Sequence, residues 1–588
     1  MFESKKFHKT FFSEEKKRRN KKCEYLSVYC SLGILMGRGI RKIIITYISF
    51  VMFKSNRMDQ HKNSISRKNA IKKMGGLSLG LPFLPSMLGN LSPEEKKENR
   101  TDRPKRKSKP NILWITTEGV PLSVLGCYGS KFMPTPNIDR IAKEGMLFRN
   151  SFCNNALCAP SRATLLTGKY DHLNGMLTNP GDTTEGQTKS LFDPSQETFA
   201  KILKRAGYKT GMVGKWHLVS EPGKPSNPGE AGFDYFVFKE GAGGPYYNPK
   251  GYLQNPSLGS HEIVEKEYPG YVTDNFTDLA IEGIKQLQEP FCMAVQFFND
   301  HRPFDPPHKY EHIFDDVRFP EPGTFWDDYE FRSAAAREAH MRISDMMDFN
   351  PPKNLTRRQR QQWSYQQLMR HFLATLKSQD DNVGRLLDYL DKAGLADDTI
   401  VVFTGDHGFF LGEHGWFDKR FMYEEALRVP WMIRYPGVVK PGSTSDSWVT
   451  AIDNAPTILD LAGLEIPPDM QGQSLLPAIK GNTPADWPTS MYYHYYEFAP
   501  PHWVLPNYGI RTDRYKLIYY YTINEWEFFD LQNDPDEMES LLEMEGMGVR
   551  LGYEDVVKDL VEQLKKMREK YKDNTGEPVR FWPPRAYN

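Results

Sequence analysis

A chain of 588 residues is too long for one ordinary domain and calls for two or more folded units. Its composition, 39% hydrophobic with 13% aromatic residues, supports a sizeable core, and a formal net charge of +1 removes any global electrostatic case for a nucleic-acid partner. Six cysteines, at positions 23, 30, 127, 153, 158 and 292, are too few for a disulfide framework. Cys153 and Cys158 are spaced for a small disulfide loop, the main structural alternative to a chemical role for Cys158.

The first hundred residues are rich in Lys and Arg and do not read as a folded domain. Two apolar runs, 25–36 and 43–53, fall short of the ~20 residues that cross a bilayer. They are separated by Arg38, Arg41 and Lys42, so no stable membrane span is expected. Ser66-Arg67-Lys68-Asn69-Ala70-Ile71-Lys72 precedes an apolar stretch at 74–88, the basic-then-apolar order of an export signal. Its basic part is similar to a twin-arginine motif with Lys68 in the second arginine's place. Met58 stands where an initiator is expected, so residues 1–57 read as an over-extended N-terminus. Residues 58–109 read as export signal and linker, and the protein is expected to be periplasmic or secreted.

From residue 110 the pattern alternates. Pro110-Asn111-Ile112-Leu113-Trp114-Ile115-Thr116 reads as a buried parallel strand. Thr135-Pro136-Asn137 opens a helix ending near Gly145, and helical patterns recur at 196–206 and 275–288. Strand-like runs recur at 211–213, 291–298 and 399–404. This is an α/β pattern: a large, mainly parallel sheet flanked by helices, spanning 110–484. Sites in such sheets lie at the carboxyl ends of strands. Glu118, Asn299-Asp300-His301 and Gly405-Asp406-His407 each follow a predicted strand directly. Lys215 and His217, two apart in a strand, point to one face. After Trp487 the chain turns aromatic, with strands around 508–512, 515–519 and 526–531 and a helix at about 554–571. A smaller antiparallel sheet plus helix is expected over 485–588.

The motifs form a set. Cys158-Ala159-Pro160-Ser161-Arg162 is followed by Thr167-Gly168-Lys169, then by Gly214-Lys215-Trp216-His217 and His301-Arg302-Pro303. Thr404-Gly405-Asp406-His407-Gly408, Gly412-Glu413-His414-Gly415, Asp418-Lys419-Arg420 and Arg428-Val429-Pro430 complete it. From about residue 110 to the end, this set resembles the type I, formylglycine-dependent sulfatases, whose fold is alkaline-phosphatase-like. It looks most like the bacterial glycan sulfatases of the N-acetylglucosamine-6-sulfatase or mucin-desulfating kind.

The resemblance implies that Cys158 is oxidised to formylglycine, whose hydrate supplies the nucleophile for a sulfate monoester. It implies that Arg162 holds the diol and that Lys215 binds diol and sulfate. It implies that His217 takes the diol proton when sulfate is expelled, that His301 helps protonate the leaving oxygen, and that Lys419 bridges sulfate and leaving group. Glu118, Asp406 and His407 become ligands of a divalent cation, Ca²⁺ ahead of Mg²⁺. Relatives carry two adjacent acids where Glu118-Gly119 stands, so one carboxylate is missing; Asp300 is the candidate to compensate. Arg428, Glu497 and His502 are candidates for substrate contact, and the aromatic stretch from Tyr492 to His502 for a sugar-stacking collar. A sulfated carbohydrate substrate and a formylglycine-generating maturase are the implied partners. A phosphomonoester or phosphonate hydrolase and an inactive sulfated-glycan-binding protein are the alternative readings.

Overall fold

The computed structural model describes residues 109–588 apart from 181–189, 221–226, 242, 255–262, 543–547, 577, 579–584 and 588. The export signal, the linker up to residue 108 and the proposed start at Met58 lie outside the described residues.

Strand β1 (Asn111–Thr117) is the centre of the molecule, buried at every position. Its side chains alternate between two cores: Leu113 and Ile115 enter one, Ile112 and Trp114 the other. A strand covered on both faces has no use for polar alternation, hence its unbroken apolar run. The remaining strands of the same sheet are β2 (Met146–Phe152), β3 (Lys209–Lys215), β4 (Tyr235–Lys239), β5 (Lys250–Gln254), β6 (Ile263–Glu267), β7 (Phe291–Gln296) and β8 (Thr399–Gly405). A short pair, β9 (Phe410–Leu411) and β10 (Phe417–Asp418), precedes the last two, β11 (Trp431–Arg434) and β12 (Ser443–Thr450). The ten-stranded order is β12-β2-β11-β8-β1-β7-β3-β4-β5-β6. Only β11 and β5 run against the rest, so the mainly parallel expectation holds.

Helices cover both faces. On the Leu113 side lie α1 (Pro136–Glu144), α4 (Val272–Gln286) and α5 (Arg357–Lys392). On the Trp114 side lie α2 (Cys158–Thr167), α3 (Phe199–Arg205) and α6 (Asn454–Leu461). The starts follow local chemistry. The Thr198 hydroxyl caps α3 by accepting from the Lys201 amide. Thr356 and Gln359 form a reciprocal capping box at the head of the 36-residue α5. Helix α5, β2, β4 to β6, β11 and β12 lie outside the elements read from the sequence. None of the described helices is long and apolar enough to cross a membrane.

The C-terminal part forms an antiparallel sheet, β13 (Ser490–Tyr495), β14 (Asn507–Thr512), β15 (Tyr515–Tyr520) and β16 (Glu525–Asp530), with α7 (Glu554–Lys570) against it. The aromatic run of β13 is explained by alternation. Tyr493 and Tyr495 pack against Trp416, Phe421 and Tyr423 of the large unit, while Tyr492 packs toward α7. These three tyrosines are fully buried, so they are core rather than the sugar-stacking surface expected of the stretch. Cys153 and Cys158 are both free thiols, which removes the disulfide alternative.

Candidate active site

The strand order β8-β1-β7-β3 puts four carboxyl ends side by side. Glu118 leaves β1, Asp406 and His407 leave β8, Asn299 to His301 follow β7, and Lys215 closes β3. Residues as far apart in sequence as Glu118 and His407 thereby meet at one edge, as parallel sheets favour. Cys158 begins α2, and Arg162, one turn later, shares its face.

Glu118 is the hub. Its Oε1 lies 2.7 Å from the Cys158 Sγ, and both carboxylate oxygens are 2.8 Å from the Lys215 Nζ. Arg162 donates to Glu118 Oε2 at 2.7 Å, to Gln296 Oε1 at 2.6 Å and to the Lys215 carbonyl at 3.2 Å, and lies 3.0 Å from Asp406 Oδ2. Asp406 Oδ1 accepts from the Gly119 and His407 amides. His301 Nε2 and Lys419 Nζ stand 3.9 and 4.0 Å from Glu118 Oε1. His217, held at a φ of +58°, faces the Cys158 sulfur together with His301. Every residue expected to act on the sulfate group is thus in one cluster. It is almost sealed: the His301 side chain, 16% exposed, is its most open member, so the approach to position 158 runs past it.

Burial and Glu118 push the Cys158 thiol up, but Lys215, Lys419 and a hydrogen bond from His217 outweigh them and hold it well below its usual range. Burial likewise opposes ionisation of Glu118, and Lys215 and Arg162 reverse it. Burial and Lys215 depress His217 to about 4; burial and Lys419 depress His301. His407 is the opposite case: despite burial, the Asp406 carboxylate raises it to about 10. The site is a cage of fixed cations around two histidines, His217 and His301, held neutral at pH 7, suited to a tetrahedral oxyanion.

One donor atom each from Glu118, Cys158 and His407 lies within 4.8 Å of the others. The His407 Nδ1 pairs with the Gly408 carbonyl at 2.8 Å, while its Nε2 has no hydrogen-bond partner, 3.7 Å from Glu118 Oε1 and 3.5 Å from Asp406 Oδ1. An unpartnered ring nitrogen facing two carboxylates fits a divalent cation. Gly119 contributes no ligand, and the His407 ring lies 3.1 Å from where a β-carbon at 119 would stand. Asp300 is fully buried with neither carboxylate oxygen partnered. Burial and the nearby Glu118 raise it well above the usual carboxylate range. Asp406 raises it further, so Asp300 lies within electrostatic reach of two of the expected ligands, although the compact group of donor atoms comprises only Glu118, Cys158 and His407.

The substrate candidates divide. Arg428 donates to the Arg149 carbonyl at 2.6 Å and lies 4.0 Å from Glu424, engaged away from Cys158. Glu497 and His502 belong to a buried polar network that begins at Lys419. Asp418 sits 3.3 Å from Lys419, 2.9 Å from Arg420 and 3.0 Å from the His502 Nε2, and Glu497 is 3.7 Å from the Arg420 Nε. Asp418 and Arg420 stand in the motif read from the sequence, but only Lys419 was given a role there, and Gln296, the Arg162 partner, was not singled out at all. Asp418 and Arg420 adopt φ of +81° and +101°, strain of the kind that collects at ligand clamps. Their signal was their place on either side of Lys419.

Comparison with known proteins agrees with this geometry. A family profile described as Sulfatase matches residues 110–464, and one described as N-sulphoglucosamine sulphohydrolase, C-terminal, matches 412–570. The chain is 39% identical over 557 residues to an N-acetylglucosamine-6-O-sulfatase of Bacteroides thetaiotaomicron, covering 86% of this chain and 93% of that protein. It is 30% identical over 366 residues to the human N-acetylglucosamine-6-sulfatase, covering 60% of this chain and 62% of that one. A solved structure of a 39% identical protein in complex with its substrate D-glucosamine-2-N,6-O-disulfate superposes with a TM-score of 0.70, over 80% of this chain and 99% of that one. With the motifs gathered at one strand edge and 60% of its length matched by the family profile, this chain belongs to the sulfatase family.

Proposed function

We propose that this protein hydrolyses the 6-O-sulfate ester of a glucosamine-type sugar in a glycan fragment, using a formylglycine made from Cys158. The observation that carries this reading is the position of Cys158, first residue of α2, inside a cage of Lys215, Lys419, Arg162, His217 and His301. Hydrated formylglycine supplies one oxygen to attack sulfur and a second to help expel the sulfate. Arg162, pinned by Gln296 and Glu118, and Lys215 hold that group's oxygens. Lys215 and Lys419 hold the sulfate oxygens and offset the charge that grows on them. His217, neutral at pH 7, has a free ring nitrogen to receive the diol proton. The incoming sulfate anion raises His301, which gives a proton to the departing sugar oxygen on the open side of the site. Glu118, Asp406 and His407 would hold a divalent cation, Ca²⁺ for preference, which would supply positive charge to offset that on the sulfate oxygens. Asp418, Arg420 and Glu497, with His502 held near 4, lie beside Lys419 and offer hydrogen-bonding partners to the sugar hydroxyls.

Maturation has to precede folding. Residues 158–162 are all buried, with Cys158 at 0%, which leaves a maturase no access to the thiol in the folded state. The N-terminal export signal and a glycan substrate fit a site of action outside the cytoplasm. The test is sulfate release from a panel of sulfated saccharides that includes N-acetylglucosamine-6-sulfate, with Ca²⁺, from protein co-expressed with a maturase and from Cys158→Ala. Release by the parent alone supports the proposal. If mass spectrometry finds formylglycine at 158 and no sulfate is released, the reading fails; turnover of phosphate esters in its place would select the phosphohydrolase alternative.

A further inference from the structure

We propose that Lys239 forms a second anion subsite beside the reacting sulfate, taking a further negatively charged group of the glycan, an N-sulfate or a uronate carboxylate. This subsite presupposes the sugar-sulfatase reading and narrows its substrate. Lys239 closes β4, and its register partner across the parallel ladder is Lys215, which closes β3. Neighbouring strands lie about 4.8 Å apart, and paired residues of a ladder project to the same face. Both lysines therefore stand at the carboxyl edge that carries the site, with Lys239 one strand further from β1.

The two ammonium groups differ in their partners. Lys215 Nζ is 2.8 Å from both Glu118 oxygens. Lys239 is 8% exposed, and among the described residues its Nζ bonds only the Glu240 carbonyl, at 2.9 Å, with the Phe298 ring 5.9 Å away. An ammonium has three N–H donors, so two remain for a ligand. A buried charge without a counter-charge is costly, and an anion brought by the substrate removes that cost. Burial and Lys215 hold Lys239 near 8, which leaves it mostly charged at pH 7.

The ammonium also lies toward the mouth. The Glu240 carbonyl follows the last residue of β4, so Lys239 is drawn to the strand edge. The next residues pack on the His301 loop: a β-carbon at Gly243 would stand 3.0 Å from His301 Nδ1, and the Tyr246 hydroxyl donates to the Arg302 carbonyl at 3.0 Å. A glycan entering past His301 meets this segment. Lys215 and Lys419 serve the reacting sulfate, which leaves Lys239 to a separate group of the same substrate.

The test is isothermal titration calorimetry on full-length Cys158→Ala, which holds a substrate without turning it over. The probes are N-acetylglucosamine-6-sulfate, glucosamine-2-N,6-O-disulfate, and N-acetylglucosamine-6-sulfate linked to glucuronic acid. At least one doubly anionic probe is expected to bind about 10- to 100-fold tighter than the monosulfate, and which one does so identifies the source of the anion. Lys239→Met and Lys239→Gln on this background should bring the ratio to about 1. Lys239→Arg should keep most of it, and Lys266→Met, at an exposed lysine of β6, should leave it unchanged. Melting checks folding; removing an uncompensated buried charge is expected to leave the melting temperature unchanged or raised. Equal binding of the three probes by Cys158→Ala, or a ratio that survives in either folded neutral variant, would overturn the Lys239 subsite alone. No binding of any probe would overturn the sugar reading and the subsite with it.

Discussion

Gly214 gives the sharpest test of how the site is assembled. It precedes Lys215 on β3, has a φ of +122°, and sits where a β-carbon would be 2.1 Å from the Gln296 carbonyl oxygen and 2.7 Å from its carbon. Those atoms are the backbone of β7, so β3 would have to move outward by about 1 Å to reach ordinary contact. The backbone strain costs about 1–3 kcal/mol, and weakening two ladder hydrogen bonds adds about 2 kcal/mol. Gly214→Ala is therefore expected to lose about 3–5 kcal/mol, or about 3–5 °C for a folded unit of this size. Because Lys215 and Gln296 both flank the moved contact, turnover should fall about 100-fold. Gly211→Ala, on the same strand, is the control. There the β-carbon meets the end of the Met293 side chain at 2.5 Å, and a flexible thioether can swing aside. Differential scanning calorimetry and sulfate release on both variants decide the matter. Equal melting temperatures and retained turnover in Gly214→Ala would refute the argument that close β3–β7 approach positions the lysine.

Glu118→Gln removes the charge shared by two fully buried cations, Lys215 and Arg162; a loss of about 3–5 kcal/mol is expected in denaturant titration, and an unchanged midpoint would count against a buried ion-pair hub. In the C-terminal sheet, His494 Nδ1 lies 2.7 Å from Asp573, and burial depresses this histidine to about 4. Its folded pKa is below the unfolded ~6.5, so the unfolded chain binds the extra proton and stability falls on acidification between those values, by about 3 kcal/mol at pH 4; His494→Gln should flatten that slope, and an identical pH profile would remove His494 as its source. Arg420→Ala takes away a charged donor beside Lys419 and is expected to raise KM at least 10-fold with a smaller change in kcat; a pure kcat effect in steady-state kinetics would place Arg420 with the sulfate-transfer groups instead.

The sequence by itself determined the large parallel sheet, because strands buried on both faces need continuous apolar stretches, and 112–115, 291–295 and 400–403 supply them. It also determined the residues around Cys158, because charged and histidine side chains placed directly after such strands have few places to go except the strand edge. Three things were decided only by tertiary structure. The aromatic stretch after Trp487 carries the same letters whether it stacks sugars or fills a core; the alternation of Tyr492 and Tyr493 between two cores chose the latter. Asp300 adjoins His301 in sequence, but that its carboxylate is fully buried, unpartnered and raised by Glu118 and Asp406 could not be read from its position in the chain, since a backbone position does not fix the surroundings of a side chain. Asp418 and Arg420 take their place beside Glu497 and His502 through a strained turn whose positive φ values no local propensity encodes. Periodicity records which face of an element is buried, whereas the meeting of Glu118, Cys158, Lys215 and His407 depends on the order in which distant strands lie side by side, which is a property of the whole sheet.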